Sequence, residues 1–545
     1  MIRRLWAEAA NHQGVGTTLL LVSLTLYYLC FFNVGIVLDD EGFLLAGAAN
    51  ILDGRWPVAD YFSYPPLSYF LLAATYHFLG VGLLAERILL LGLLLTNVSL
   101  VLFCARRVLP GMLPFAPALI YGLAPGPWYK LFFIFALLGI TVALLRFVEK
   151  PTRGRLYCLG LMTGISFLIR SEAGLIGLAA ASVSLIVVSV AGESPKYGVV
   201  LGGGARLAVK RLFELFFAFF VPVVLMTVCY VAAEKGPVLL ANLYRYYNPF
   251  ASISYTNETL GLRDQFSLTL LFSQPTLERA VWFAGFVACI VNLGKASLCL
   301  RRGQTESLLL FCIAVLGAAS LSYTFFYVWD SRILSSFALV YVNLTFLFTR
   351  LLRSPWLTSH LRAVPVLKAA VGLGVGLVLT DFARVGIYSG TVSARVSSTV
   401  AVDHPYLRNT TIYKQQERDV VELLKHLEVG GKCGYLLPMS EATTMGFLSG
   451  LQNPTYYSLF TAEFTPEGEQ ELAIAAFEKL EIRYFVARRS QFFTSDVPAS
   501  NLDNYAPVVK RYLLEKYRVI PLGTYFVLLE RKLMPEMCAA GSQNV

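Results

Sequence analysis

Residues Thr17–Leu38 (TTLLLVSLTLYYLCFFNVGIVL) run without a charged side chain and end at Asp39-Asp40-Glu41. An α-helix rises ~1.5 Å per residue, so ~20 apolar residues cross the hydrocarbon core of a bilayer. The stretch therefore reads as a membrane span. It is too long and lies too far into the chain for a secretory h-region, and no A-x-A cleavage site follows it. Arg3 and Arg4 before it hold the N-terminus inside.

Working outward, the composition agrees. The 545 residues are 56% hydrophobic and only 15% charged, with a mean hydropathy of +0.61. A soluble chain carries about 25% charge. A disordered chain, a disulfide-stapled secreted module and an ordinary cytosolic enzyme are excluded. The net charge of +10 reads as a record of topology rather than of nucleic acid, because no basic stripe with interleaved aromatics occurs. No C-x-x-C pair occurs among the 9 cysteines, and the 5 histidines are scattered, which argues against structural zinc.

The apolar stretch Pro66–Gly80 is short for a crossing and long enough for a helix lying in the interface. If it lies flat on the outer surface, the basic clusters Arg106-Arg107, Lys150–Arg155, Lys196–Arg211, Arg301-Arg302 and Arg350–Arg362 all fall inside, as topology requires. Further spans are expected near 85–105, 109–126, 131–148, 156–171, 173–191, 212–233, 279–298, 307–326, 333–350 and 363–381. With the first they make about eleven, which puts the C-terminus outside. The fold class expected is a polytopic α-helical membrane protein over residues 1–381, with a first outer loop at 39–84 that holds interfacial helices. After Asp381 apolar runs shorten to strand length. Arg418–Glu428 and Glu467–Lys479 have helical periodicity and lead into the strand-like Lys432–Leu437 and Tyr484–Ala487, and Arg518–Glu530 reads as two strands around Gly523. This alternation predicts a small extracytoplasmic α/β domain over 382–532 and a disordered tail over 533–545.

Ionisable residues near membrane depth need a reason to be there. On the outer side they gather. Asp39, Asp40 and Glu41 leave the first span, Asp60 shares their loop, and Glu86-Arg87 start the next span. Lys130 follows Pro125-Gly-Pro-Trp-Tyr, Arg170 and Glu172 end a span, and Asp330 and Arg332 sit in Tyr327-Val-Trp-Asp330-Ser-Arg332. Each alone has an ordinary reading: an acidic cap, a snorkelling arginine, a turn acid, an interface anchor beside Trp128 or a local salt bridge. The combination carries more: acids opening the first outer loop, then Tyr61-Phe-x-x-Pro65-Pro66-Leu67, then an interfacial helix, then arginine.

In these residues the chain resembles the GT-C fold glycosyltransferases. The segment Asp40-Glu41-Gly42, Gly54, Asp60-Tyr61-Phe62, Pro65-Pro66-Leu67, Gly80 and Arg87 is similar to their first outer loop, most of all in the bacterial branch related to protein O-mannosyltransferases and the lipid A aminoarabinose transferase. Arg170-Ser-Glu172-Ala-Gly174 is similar to a recurrent outer-end motif. The resemblance covers about residues 38–90 closely and fades toward the C-terminus. It implies transfer of a sugar from a polyprenyl-phosphate carrier to a lipid, glycan or protein acceptor on the non-cytoplasmic face, with inversion, in an integral membrane protein of the bacterial inner membrane. The family's catalytic aspartate maps onto Asp40, with Asp39 an added neighbour. Lys130 stands where some relatives have a second acid, so a divalent metal is left open and no other cofactor is implied.

The residue types suit that chemistry. An attacking hydroxyl must lose a proton, and a carboxylate within ~3 Å can take it. Asp40 is the expected base, with Asp39 and Glu41 able to raise the cluster's apparent pKa. The leaving phosphate needs cations, and Arg87, Lys130 and Arg170 are the candidates, arginine offering a planar fork. Asp60, Glu172, Asp330 and Arg332 are expected to position substrate. Phenylalanines in Phe213–Phe220 can line a groove for the polyprenyl tail or simply face lipid. The other class of function is a non-enzymatic transporter or scaffold for lipid-linked glycans; transporters place their charges near the midplane, often within inverted repeats, and no repeat is visible.

Overall fold

The computed structural model describes residues 2–30, 32–36, 41–61, 63–123, 128–190, 204–246, 277–300, 305–325, 337–352, 399–429, 442–450, 467–492, 502, 506–522 and 526–532. Asp39, Asp40, Asp330, Arg332, the 363–381 span, the boundary at 381, the 432–437 strand and the tail lie outside them.

In chain order the helices are α1 Ile2–Leu29, α2 Glu41–Leu52, α3 Leu67–Leu79, α4 Leu83–Ala105, α5 Phe115–Leu123, α6 Leu131–Glu149, α7 Arg153–Ile169, α8 Ser171–Val190, α9 Gly204–Ala232, α10 Gly236–Tyr246, α11 Leu277–Leu300, α12 Thr305–Phe325 and α13 Ala338–Leu352. Then come β1 Thr399–Ala401, β2 Thr411–Tyr413, α14 Lys414–Val429, α15 Ala442–Ser449, α16 Glu467–Lys479, β3 Tyr484–Arg488, α17 Arg489–Phe492, α18 Pro507–Lys516, β4 Tyr517–Leu522 and β5 Phe526–Arg531. Among the described residues five helices are long and apolar enough to cross a membrane: Leu83–Ala105, Leu131–Glu149, Ser171–Val190, Gly204–Ala232 and Val281–Cys299. This is a mostly helical, polytopic membrane protein.

Several expected spans differ in extent, the 212–233 span beginning already at Gly204. The first helix stops at Leu29 rather than Leu38, because the chain there turns to serve another partner. Gly35 adopts φ +77°, which favours glycine, and Val34 bridges Thr411. Among the described residues of the 109–126 stretch, the helix covers only Phe115–Leu123; Pro110 and Pro114 lack the N–H a helix interior requires.

The chain divides into two compact units. The first comprises Met1–Phe32, Leu90–Thr227 and Phe266–Ser393; the second comprises Asn33–Leu89, Val228–Gln265 and Ala394–Val545. In the first unit α6 is buried along most of its length and packs on α7 and α8. Gly160 and Gly164 of α7 bring it onto α9: a Cβ at Gly160 would lie 2.5 Å from Ala218 Cβ and 2.6 Å from the Leu215 carbonyl oxygen. Small residues at such spacing allow close helix approach where hydrophobicity cannot drive it. Buried amides add directional bonds. Asn292 Nδ2 donates to the Asn343 carbonyl and Oδ1, both at 3.0 Å, and Asn97 Nδ2 donates to the Leu131 carbonyl at 3.1 Å. Phe213, Phe216, Phe217 and Phe220 stay exposed on α9.

In the second unit β1 and β2 pair antiparallel, Val400 opposite Ile412. A three-stranded antiparallel sheet runs in the order β3-β5-β4, and Pro521 sits in edge strand β4, where a missing ladder donor is tolerated. Its core sets Phe485 edge-to-face with Tyr517 at 4.6 Å and Phe477 edge-to-face with Phe485 at 5.4 Å. Gln470 of α16 accepts from Val508 N–H at 3.0 Å, satisfying a donor at the start of α18.

Candidate functional site

Within the second unit, α2 begins at Glu41, and α4 begins two residues after the Gly80-Val81 turn that ends α3. That turn carries Glu86 and Arg87 to Glu41. Arg87 Nη2 lies 2.6 Å from Glu41 Oε1 and donates to Oε2 at 2.7 Å. The same nitrogen donates to the Gly35 carbonyl at 3.0 Å. The guanidinium is 1% exposed and the carboxylate 0%. Breaking such a buried pair leaves an uncompensated charge, costing ~3–5 kcal/mol.

Glu86 is also fully buried, and neither carboxylate oxygen has a hydrogen-bond partner. Its electrostatic neighbours are Glu41 and Arg87, and its charge also acts on Tyr76, whose buried hydroxyl is likewise without a hydrogen bond. Two carboxylates, one guanidinium and a phenol thus share an interior region directly after Asp39 and Asp40 in the chain.

The remainder of the first loop is tied to itself and to 228–246. Asp60 Oδ2 accepts from Trp56 N–H, and Oδ1 pairs with Lys235 Nζ, both at 2.7 Å. Asn242 Nδ2 donates to the Val58 and Ala59 carbonyls at 2.9 and 3.0 Å, and the Tyr230 hydroxyl to the Pro57 carbonyl at 2.7 Å. Val58 is held at φ +65°, a strained value for a β-branched residue. Burial pushes the Tyr61 phenol well above its usual pKa, with Tyr69 and Tyr230 adding to the shift.

The first unit holds a second charged group. Lys130 is 3% exposed at the start of α6, and Arg170 is 5% exposed at the end of α7. Glu172, in the first turn of α8, lies within the fields of Arg170 and then Lys130. The chain passes from α7 to α8 through Arg170 alone, and a Cβ at Gly174 would strike the Phe167 backbone, which explains the glycine of Arg170-Ser-Glu172-Ala-Gly174.

The sequence-predicted residues therefore fall into two sets: Glu41 and Arg87 in one unit, with Asp60 bonded to its own turn and to Lys235, and Lys130, Arg170 and Glu172 in the other. Among the described residues no three His, Cys, Asp or Glu gather as metal ligands. The sequence reading left Glu86 and Tyr76 out of the site. A carboxylate entering an apolar span was the available signal for Glu86; Tyr76 carried none. Gly35, whose carbonyl accepts from Arg87, and Thr411 and Thr444, which approach Gly35 and Gly42, also had no local signal.

No protein-family model and no curated protein matches the chain. Several solved structures are similar in fold, two of them as follows. ArnT from Cupriavidus metallidurans, bound to undecaprenyl phosphate, aligns at TM-score 0.52 with 14% identity over 95% of this chain and 98% of its own. The archaeal oligosaccharyltransferase AglB from Archaeoglobus fulgidus, in complex with an inhibitory peptide and a dolichol-phosphate, aligns at 0.51 with 13% identity over 96% of this chain and 75% of its own. Both are GT-C fold glycosyltransferases.

Proposed function

From the GT-C fold of the chain we propose a membrane glycosyltransferase that moves a sugar from a polyprenyl-phosphate carrier to an acceptor on the non-cytoplasmic face. The observation that carries the reading is the buried Glu41–Arg87 pair, which fixes a cation at the residue that follows Asp39 and Asp40 in the chain. Asp40 takes the proton of the acceptor hydroxyl as its oxygen attacks the anomeric carbon. The carbon–oxygen bond to phosphate breaks, its electron pair stays with the phosphate, and the configuration inverts. Arg87 stabilises the charge that develops there, and Lys130 and Arg170 are the further candidate cations. Glu41 is engaged by Arg87 and serves as its anchor, which leaves proton transfer to the aspartates. In this reading the chain crosses a bacterial inner membrane about eleven times, Leu67–Leu79 lies flat at the outer surface, and the residues after 399 lie outside the cytoplasm as an α/β domain. Donor, acceptor and membrane lipids are the partners.

Transfer from a lipid-linked sugar in detergent tests the base. Asp40→Asn should lower turnover by at least ~10²-fold while the protein still binds polyprenyl phosphate. Undiminished transfer removes Asp40 from the mechanism.

A further inference from the structure

We infer that β2 and α15, far along the chain, brace Gly35 and the start of α2 and so position Arg87 for the donor phosphate. The inference rests on the proposed role of Arg87.

The guanidinium is aimed by two acceptors, the Gly35 carbonyl and the Glu41 carboxylate. The Gly35 carbonyl is directed from the preceding peptide plane through the left-handed φ of Gly35, and residues after 399 hold that preceding plane. Gly35 N–H donates to the Thr411 carbonyl at 3.0 Å, and Thr411 N–H donates to the Asn33 carbonyl at 3.1 Å. Val34 and Thr411 form a parallel bridge, and Asn33 Nδ2 donates to the Asn409 carbonyl at 2.6 Å. The Tyr413 ring fills the space a side chain at 35 would need, 2.7 Å from an ideal Cβ. At the other end, Gly42 adjoins Glu41. A Cβ there would collide with Thr444 and lie 2.7 Å from Thr443 Oγ1, at the N-terminal turn of α15. The two acceptors of Arg87 are thus held from residues after 399, Gly35 by β2 and the turn at Glu41-Gly42 by α15. A misplacement of ~1 Å in such a group can cost ~10²-fold in rate. Gly35, Gly42, Thr411 and Thr444 are positioning residues; none is assigned contact with the reacting atoms.

The full-length protein in detergent is titrated with undecaprenyl phosphate. Gly35→Ala forces a strained φ and meets Tyr413, and should weaken binding about tenfold; Asn33→Ala, at an exposed bond and safe for folding, should weaken it about threefold. The same changes made with Arg87→Gln should each weaken binding less than about twofold further, because the brace acts through Arg87. Wild-type affinity in both folded single variants overturns the inference, as does full additivity with Arg87→Gln. If Arg87→Gln itself binds as wild type does, the phosphate role of Arg87 fails, and the inference fails with it. Were the brace only structural, thermal stability would fall without this loss of additivity.

Discussion

Glu86 and Arg87 are adjacent, equally buried and opposite in what they contribute. Arg87 is hydrogen-bonded to a carboxylate and a carbonyl; Glu86 is buried with neither oxygen hydrogen-bonded. Replacing a buried, poorly compensated charge by a well-packed apolar group is often neutral or stabilising, whereas removing one member of a bonded pair is strongly destabilising. Glu86→Leu should therefore leave the melting midpoint unchanged or raise it, and Arg87→Ala should lower stability by ~3–5 kcal/mol. Thermal denaturation in detergent checks the signs; equal losses would show that Glu86 has a compensating partner. Arg87 was legible because an arginine opening an apolar span stands out against its neighbours. Its anchor was not, since the bond to Glu41 joins residues 46 positions apart.

At the scale of elements, α7 offers a contrast within one helix. Gly160 and Gly164 touch α9, and a Cβ at Gly164 would lie 2.5 Å from Pro222 Cγ. Gly154 has nothing within 4 Å of an added Cβ. Gly160→Val should overpack the α7–α9 contact and cost ~1–3 kcal/mol; Gly154→Ala should be neutral or gain up to ~1 kcal/mol, because alanine loses less backbone entropy in a helix. Melting midpoints and the monodisperse fraction in detergent read both, and equal behaviour would remove the proposed close contact. The helices that followed their sequence pattern, such as α6 and α16, did so because apolar periodicity is a local property. α1 ended early because Asn33–Gly35 answers to β2, a partner no window of sequence contains.

For the whole molecule, the second unit is assembled from three separated stretches, and its C-terminal sheet depends on charge. Glu530 of β5 accepts from Arg518 Nε at 2.8 Å and from the Tyr484 hydroxyl at 3.3 Å. Burial alone would raise its pKa; the hydrogen bond and charge of Arg518 outweigh it and hold the carboxyl below the usual range. A depressed folded-state value means a contribution fully present above the unfolded carboxyl pKa of about 4.3 and lost as pH falls through the folded value. The melting midpoint should therefore drop more steeply between about pH 5 and about pH 3 in the wild type than in Glu530→Gln. Parallel curves would exclude Glu530 as the source of acid sensitivity.

By itself the sequence determined that this is a polytopic helical membrane protein, and it singled out Arg87 and the acids that follow the first apolar stretch. Span length and charge at membrane depth are set by the bilayer, and they are written locally in residue type. Only the tertiary structure decided that Glu41 anchors Arg87, that Glu86 is buried beside them, and that residues 399–450 belong with residues 33–89. Those facts follow from hydrogen bonds and close packing between stretches up to 376 positions apart, and neither propensity nor periodicity encodes which distant partner a backbone donor will meet.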